Sequence, residues 1–459
     1  MEHLDQSLSL KNARSVWDRD TRKGRSLPKH LTSRGATNVH LTSIFNNFEL
    51  SHLLREERRE KKKAATPAQM KLIDQGIKVA MARREELIED FIASVHSTIN
   101  ANGFKIGVQL VPTNASLPAT YALSDPYVEN YFAEKLLQAN VRRAFDVSTT
   151  SRDHIVERLV RVLDDTLPKR VIRGDVEKFY DSIPHGLLIE TLKMNRALST
   201  TSRIFVEQIL RTVRGTIPVE EARGLPRGIG VSSPLSEVHL KAFDHAMQNI
   251  PEVIFYARYV DDFVLVVSAP THTAPCNDYK STITAELASI GLKLSEKSEK
   301  QYDQLFGTNR VLPSLTFLGY EISYSDGRVQ VRMSVNRLEK ILNRMEATFR
   351  AFEFSSIKSG TSAKRLTQRV RYLTSNTRLW NNKRSAFTGI YFSNRYLTEF
   401  DQIASLDAAL NAHIAAITDA KLRARLSGYT FDAGFNQRQF VRWRTKEMDA
   451  ITSLWTRRG

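Results

Sequence analysis

The stretch Phe255-Tyr256-Ala257-Arg258-Tyr259-Val260-Asp261-Asp262-Phe263-Val264-Leu265-Val266-Val267 sets two β-prone runs on either side of two adjacent carboxylates. The pattern predicts strands over 253–259 and 263–268 with the acids at the tip between them. An ordinary Asp-rich turn is the plain reading. A tight turn between buried strands, however, normally takes Asn-Gly or Asp-Gly. Two acids beside Tyr259 and Phe263 also repel each other unless a cation neutralises them. Hard divalent ions such as Mg²⁺ favour carboxylate oxygens.

Further out, a second acid ends the run Val171-Ile172-Arg173-Gly174-Asp175-Val176, part of a predicted strand over 170–176. A lone strand-end Asp is often only a cap. Asp175 together with Asp261 and Asp262 supplies what two-metal phosphoryl transfer requires: one ion to activate a 3′-hydroxyl and one to grip the triphosphate. Between them runs Gly224-Leu225-Pro226-Arg227-Gly228-Ile229-Gly230-Val231-Ser232-Ser233-Pro234. Its glycines allow close backbone approach to a base or phosphate, although alone it is a loop–helix junction.

Helical periodicity predicts helices over 151–163, 184–192, 202–213, 233–248 and 279–290, and a strand over 315–322. This is an α+β core with a mostly antiparallel sheet. Beyond Ser334 the patterns are almost all helical. On the N-terminal side, residues 1–65 look loosely organised, with an exposed helix through the charge run Arg55 to Lys63. Helices are expected over 66–99 and 125–139, a loop near 111–118, and a short strand over 141–147.

The 459 residues suit two to three domains, and a 41% hydrophobic fraction supports a sizeable core. The single cysteine, Cys276, excludes an internal disulfide or a Cys-based zinc site and suits a reducing cytosol. No apolar stretch is long enough for a membrane span and no secretory signal opens the chain, so a cytoplasmic protein with no membrane partner is expected. A formal net charge of +17 points to a polyanionic partner, most simply nucleic acid. Residues 331–459 hold 23 Lys and Arg against 10 Asp and Glu, so most of the excess lies there. The acid-free stretch 358–395, interleaved with Tyr372, Trp380, Phe387, Tyr391 and Phe392, reads as a nucleic-acid surface. Arg442-Trp443-Arg444-Thr445-Lys446 reads either as a contact for the same RNA or a protein partner, or as an amphipathic closing helix with Phe440, Trp443 and Leu454 in the core.

Taken in order, these segments resemble the reverse transcriptase superfamily over residues 150–335, with a weaker likeness onward to about 450. Asp175 to Ile183 is similar to the block D-x-x-x-F-[FY]-x-S-I, Leu225 to Leu235 to L-P-x-G-x-x-x-S, and Tyr259-Val260-Asp261-Asp262 to the Y-x-D-D box. Gly291 to Lys297 resembles the next block, and Phe317-Leu318-Gly319-Tyr320 the primer-grip F-L-G. The resemblance implies a right-hand polymerase with an antiparallel-sheet palm, fingers, and an α-helical thumb and C-terminal region. Its divisions would be a mainly helical extension over 1–100, fingers and palm over 101–335, and thumb and C-terminal region over 336–459.

The same resemblance implies RNA-directed DNA polymerase activity with two Mg²⁺ ions, Mn²⁺ being an alternative. Asp175, Asp261, Asp262 and the Val176 carbonyl would bind metal, and Lys297 would protonate the leaving pyrophosphate. Tyr180 would exclude a ribose 2′-hydroxyl and so select dNTPs, with Tyr259 nearby. Arg227, Gly228 and Ser232 would line the nucleotide and template pocket; Arg152, Arg170 and Arg173 are candidate triphosphate contacts or plain surface arginines. The sequence lacks the retron N-A-x-x-H element and carries Arg227 where group II intron enzymes usually have Gln. It looks like the bacterial abortive-infection and defence-associated reverse transcriptases. That likeness implies antiphage function, a dedicated noncoding RNA template or else untemplated or protein-primed DNA synthesis, and an oligomer or a co-encoded protein partner. Two rivals are an RNA-synthesising polymerase, which Tyr180 opposes, and a catalytically silent RNA-binding scaffold, which three intact acids oppose.

Overall fold

The computed structural model describes residues 5–22, 27–33, 39–61, 66–112, 118–148, 150–165, 167–268, 278–306, 314–325, 327–354, 360–379 and 386–456. Lys358, Trp380, Lys383 and Arg384 of the expected basic surface, and Cys276, lie outside the described residues. The chain divides into two compact units that interleave in sequence: residues 1–149, 176–246 and 278–294, and residues 150–175, 247–277 and 295–459. The chain passes from the second unit to the first at the Asp175–Val176 bond, so the units do not follow the linear division into 1–100, 101–335 and 336–459.

The first unit is mainly helical. Its longest helix, Pro67–Ile99, starts with a reciprocal capping box between Thr66 and Gln69 and with proline in the first turn. It buries Leu87, Ile88, Phe91, Ile92 and Val95, and Phe91 meets Trp17 and Phe132 edge-on at 5.5 and 5.9 Å. The described residues between 5 and 61 are not loosely organised, contrary to expectation. Leu10–Arg22 and Val39–Glu60 are helices, Ala13, Val16 and Trp17 are buried, and the Tyr131 hydroxyl donates to Asp20. The i, i+3, i+4 apolar spacing in Leu10–Arg22 was masked by the surrounding Ser and Arg.

The strand expected over 141–147 is also absent. Val141 to Ala144 complete the helix Tyr127–Ala144, where Arg142 and Arg143 suit the negative C-terminal end of the helix dipole. Two short antiparallel strands, β1 (Val108–Val111) and β2 (Thr120–Leu123), complete this unit's sheet content.

The second unit holds a four-stranded antiparallel sheet in the order β4-β5-β3-β6. The strands are β3 (Lys169–Asp175), β4 (Val253–Tyr259), β5 (Asp262–Ser268) and β6 (Tyr302–Phe306). β5 buries Phe263 through Val267 completely, as a central strand covered on both faces must. β6 escaped the sequence reading because Tyr-Asp-Gln-Leu-Phe is short and polar for an edge strand.

The single strand expected over 315–322 is a hairpin of β7 (Leu315–Phe317) and β8 (Tyr320–Ser325), extended by β9 (Arg328–Met333). Leu318 and Gly319 both take positive φ, 47° and 75°, as a type I′ two-residue turn requires. C-terminal helices Val335–Glu353, Gly360–Thr374 and Asp401–Ala415 pack on these sheets, and Val171, Phe255, Val264, Phe317, Val331, Phe349, Leu366 and Leu406 share one core. The region is not wholly helical, because β10 (Asn376–Arg378) pairs with β11 (Phe387–Gly389). Trp443 is buried with Val441 and Ile451, whereas Phe440 is exposed.

Candidate active site

Tyr259 pairs with Asp262 across β4 and β5, which leaves Val260-Asp261 as a two-residue turn. Val260 adopts φ 64°, a left-handed conformation that a β-branched residue resists at a cost of about 1–3 kcal/mol. The Arg258 guanidinium donates to the Val260 carbonyl at 2.8 Å and pins the turn. Asp175 at the end of β3 lies directly opposite Asp262 of β5, so both side chains leave the same face of the sheet. The three acids picked out by sequence therefore meet at one end of one sheet.

Two cations answer them. Arg173, also on β3, grips Asp262 bidentately at 2.8 and 2.9 Å, and its side chain is only 8% exposed. Lys300 donates to Asp175 at 3.0 Å. Asp261 forms no ion pair among the described residues; burial first, and then the charge of Asp175, hold its carboxyl above the usual range. Burial also pushes Asp262 up, against the opposing pull of Arg173.

Among the described residues no set of three or more His, Cys, Asp or Glu side chains stands ready as a metal-ligand cluster. The donor chemistry fits a hard divalent ion all the same: carboxylate oxygens converge, and Asp261 has no ion pair among the described residues. Arg173 and Lys300 now supply the positive charge that such an ion would bring.

The lysine that reaches these acids is not the one the sequence singled out. Lys297 is exposed and opens the short turn Ser298–Lys300, which carries Lys300 to Asp175. Ser295 donates its backbone N–H to the Asp175 carbonyl, and Arg173 reaches the Glu299 carbonyl, so the segment is laced to β3. Arg337 is a second residue missed by the sequence reading. It donates to the carbonyls of Leu318 and Ser393 and to the Asn394 side chain, and lies 4.5 Å from the centre of the Tyr320 ring. A Cβ on Gly319 would strike its guanidinium, so the F-L-G-Y turn and Arg337 need each other's shape. Burial raises the Tyr320 hydroxyl to about 12. Of the other candidate arginines, Arg170 pairs with Asp303 on the neighbouring strand β6, and Arg152 lines a cavity with Arg337.

Within the first unit, Tyr180, Arg227, Gly228 and Ser232 come together. Arg227 pairs with Asp181 at 2.8 Å and lies 5.6 Å from the Tyr180 ring centre. The loop is stitched down by Leu225 N–H to the Tyr180 carbonyl, Gly224 N–H to Ile183, and Ser232 Oγ to Pro226. Gly228, at φ 95°, would bring a Cβ within 2.5 Å of the Tyr121 carbonyl, so only glycine fits. Val176 is buried and bridges to Leu294.

Residues 132–322 match the family described as reverse transcriptase (RNA-dependent DNA polymerase). No curated protein matches the chain. Similar solved structures include apo telomerase from Candida tropicalis truncated from its C-terminal domain, at 14% identity and TM-score 0.33, covering 50% of this chain and 55% of that one. Telomerase from Candida albicans with a fragment of telomeric RNA is similar at 12% identity and TM-score 0.34, covering 80% and 65%. Apo telomerase from Candida tropicalis is similar at 14% identity and TM-score 0.36, covering 76% and 61%. The chain thus spans less than two thirds of the length of these structures. The match to that family covers 191 of the chain's 459 residues.

Proposed function

We propose that the chain is an RNA-directed DNA polymerase that joins deoxynucleotides to a 3′ end. The observation that carries this reading is the meeting of Asp175, Asp261 and Asp262 at one sheet end, with Arg173 and Lys300 as the only cations paired to them among the described residues. Asp175, Asp261, Asp262 and the Val176 carbonyl would hold two divalent ions, Mg²⁺ or Mn²⁺. Such ions lower the pKa of the attacking hydroxyl and offset charge on the leaving pyrophosphate.

The chain's own groups do the rest. Arg173 holds the Asp262 carboxylate in one orientation, and the strained Val260 turn fixes Asp261 at the tip. Lys300, flexible and part-exposed, is better placed than Lys297 to hand a proton to pyrophosphate. Tyr180, backed by Phe179 and by the Arg227–Asp181 pair, is a ring held in place, which suits exclusion of a 2′-hydroxyl. In this reading the β3–β6 sheet belongs to the palm and the helices after Ser334 to the thumb. No helix among the described residues is long and apolar enough to cross a membrane.

The finer reading is antiphage defence with a dedicated noncoding RNA template and an oligomer or co-encoded partner, and it rests on the sequence resemblance. Incorporation of labelled nucleotides by the purified protein with Mg²⁺ tests the chemistry, comparing dNTPs with rNTPs, with and without primed RNA. Deoxynucleotide incorporation without added template would favour untemplated or protein-primed synthesis. Absence of any incorporation, with biological function surviving in an Asp261→Asn/Asp262→Asn variant, would favour an RNA-binding scaffold.

A further inference from the structure

The second unit contains a cavity of about 240 Å³ between the start of the helix Arg152–Leu163, the helix Val335–Glu353 and the β11 segment. Four cations line it: Arg152, Arg337, Lys340 and Arg344. No Asp or Glu lines it, and none of the three active-site aspartates does. Arg337 is bound only by neutral oxygens, and Arg344 faces the Trp455 ring at 5.6 Å. Lys340 stands exposed with no ion pair among the described residues. Arg152 Nε and Nη2 are fully buried without a hydrogen-bond partner. Buried N–H groups on a cation are costly to leave unpaired, and four like charges around one cavity repel. Among the described residues no carboxylate lines the cavity to balance them, so the space suits an anionic ligand.

We propose that this cavity is a phosphate-binding site separate from the carboxylates, taking a phosphoryl group from a nucleotide or from a nucleic-acid strand. The guanidinium groups of Arg152 and Arg344 with the Lys340 ammonium match a multiply charged phosphate better than a single carboxylate, and Arg337 adds its charge although its fork is already bonded to protein oxygens. Tyr372 on the wall offers a ring to what the phosphate carries. The volume admits a phosphoryl group and part of a nucleoside but no duplex.

The test uses the full chain carrying Asp261→Asn/Asp262→Asn in EDTA, which silences metal-dependent nucleotide binding and makes the result independent of polymerase activity. Calorimetric titration with inorganic tripolyphosphate should show saturable binding. Lys340→Glu/Arg344→Glu should weaken it at least tenfold, and Lys340→Glu alone, at an exposed position, several-fold with an unchanged unfolding midpoint. A control of equal charge, Lys71→Glu/Lys78→Glu in the first unit, should bind as before. Equal binding by the cavity variant, or equal loss in the control, would overturn the site. Anisotropy with 5′-phosphorylated and 5′-hydroxyl oligonucleotides identifies the source. Tenfold preference for the phosphorylated strand, lost in the cavity variant, assigns a strand end. Equal binding of both, weakened in the variant, assigns a backbone phosphate. Saturable tripolyphosphate binding with neither strand bound assigns a free nucleotide.

Discussion

At the ends of β3 and β5, Asp262 meets Arg173 and Asp175 meets Lys300, while the cavity beside the helix Val335–Glu353 gathers four cations and no acid. Both places sit in the second unit, and both crowd charge together. In the first, the protein carries most of its own counter-charge, and only Asp261 is left over. In the second, among the described residues, it carries none. Charge balance thus separates a site that is held together before any ligand arrives from one that waits for its ligand. The first unit treats buried ionisable groups in a third way, keeping His185 and His239 neutral against the Gly224 and Ile290 carbonyls.

The sharpest way to break this comparison is to remove carboxylate charge. Asp261→Asn/Asp262→Asn should cut nucleotide incorporation more than about a thousandfold, equivalent to about 4 kcal/mol of barrier. Activity near wild type would mean that the sheet end is not the reacting centre.

Next in size is the cost of stranding Arg173. Asp262→Ala leaves a nearly buried guanidinium with no carboxylate and should destabilise the protein by about 3–5 kcal/mol in urea unfolding. An unchanged midpoint would show the pair to be solvated and the charge balance unimportant.

The neutral histidines give a pH-dependent counterpart. Burial, the largest influence on both, lowers their folded pKa below the ordinary value of about 6.5. The unfolded chain therefore binds the extra protons. Stability should be full above about pH 6.5 and fall on acidification by at most about 1.4 kcal/mol per pH unit per histidine. Denaturation midpoints measured from pH 7.5 to 5 should show this slope, and His239→Gln should reduce it.

A smaller effect is expected from the turn. Val260→Gly should relieve left-handed strain and add about 1 kcal/mol of stability while slowing incorporation, because Asp261 is then less firmly aimed. A glycine variant that is faster than wild type would show the strain to be incidental. The smallest effect belongs to the uncompensated cavity. Lys340→Gln should raise stability by less than about 0.5 kcal/mol at low salt, and the gain should vanish near 1 M salt, where screening acts over about 3 Å. Thermal unfolding at two salt concentrations measures it.

The acids were legible in the sequence because they interrupt strongly β-prone runs at positions where no turn chemistry explains them. Alternating and fully apolar periodicity likewise exposed the strands β3, β4 and β5 and most helices between 150 and 300. Composition alone showed the basic C-terminal region, on which the expectation of a polyanionic partner rests. Three-dimensional packing decided the rest. Lys300 rather than Lys297 meets Asp175 because a single short turn selects between residues of the same type, and side-chain chemistry does not encode that choice. Arg337 grips the Leu318–Gly319 turn from beyond β9, and Arg152 joins it from nearly two hundred residues upstream. Linear patterns carry local periodicity and charge. Which distant cations share a cavity, and which find an acid, depends on the way sheets and helices bury one another's surfaces, and that only the tertiary structure decides.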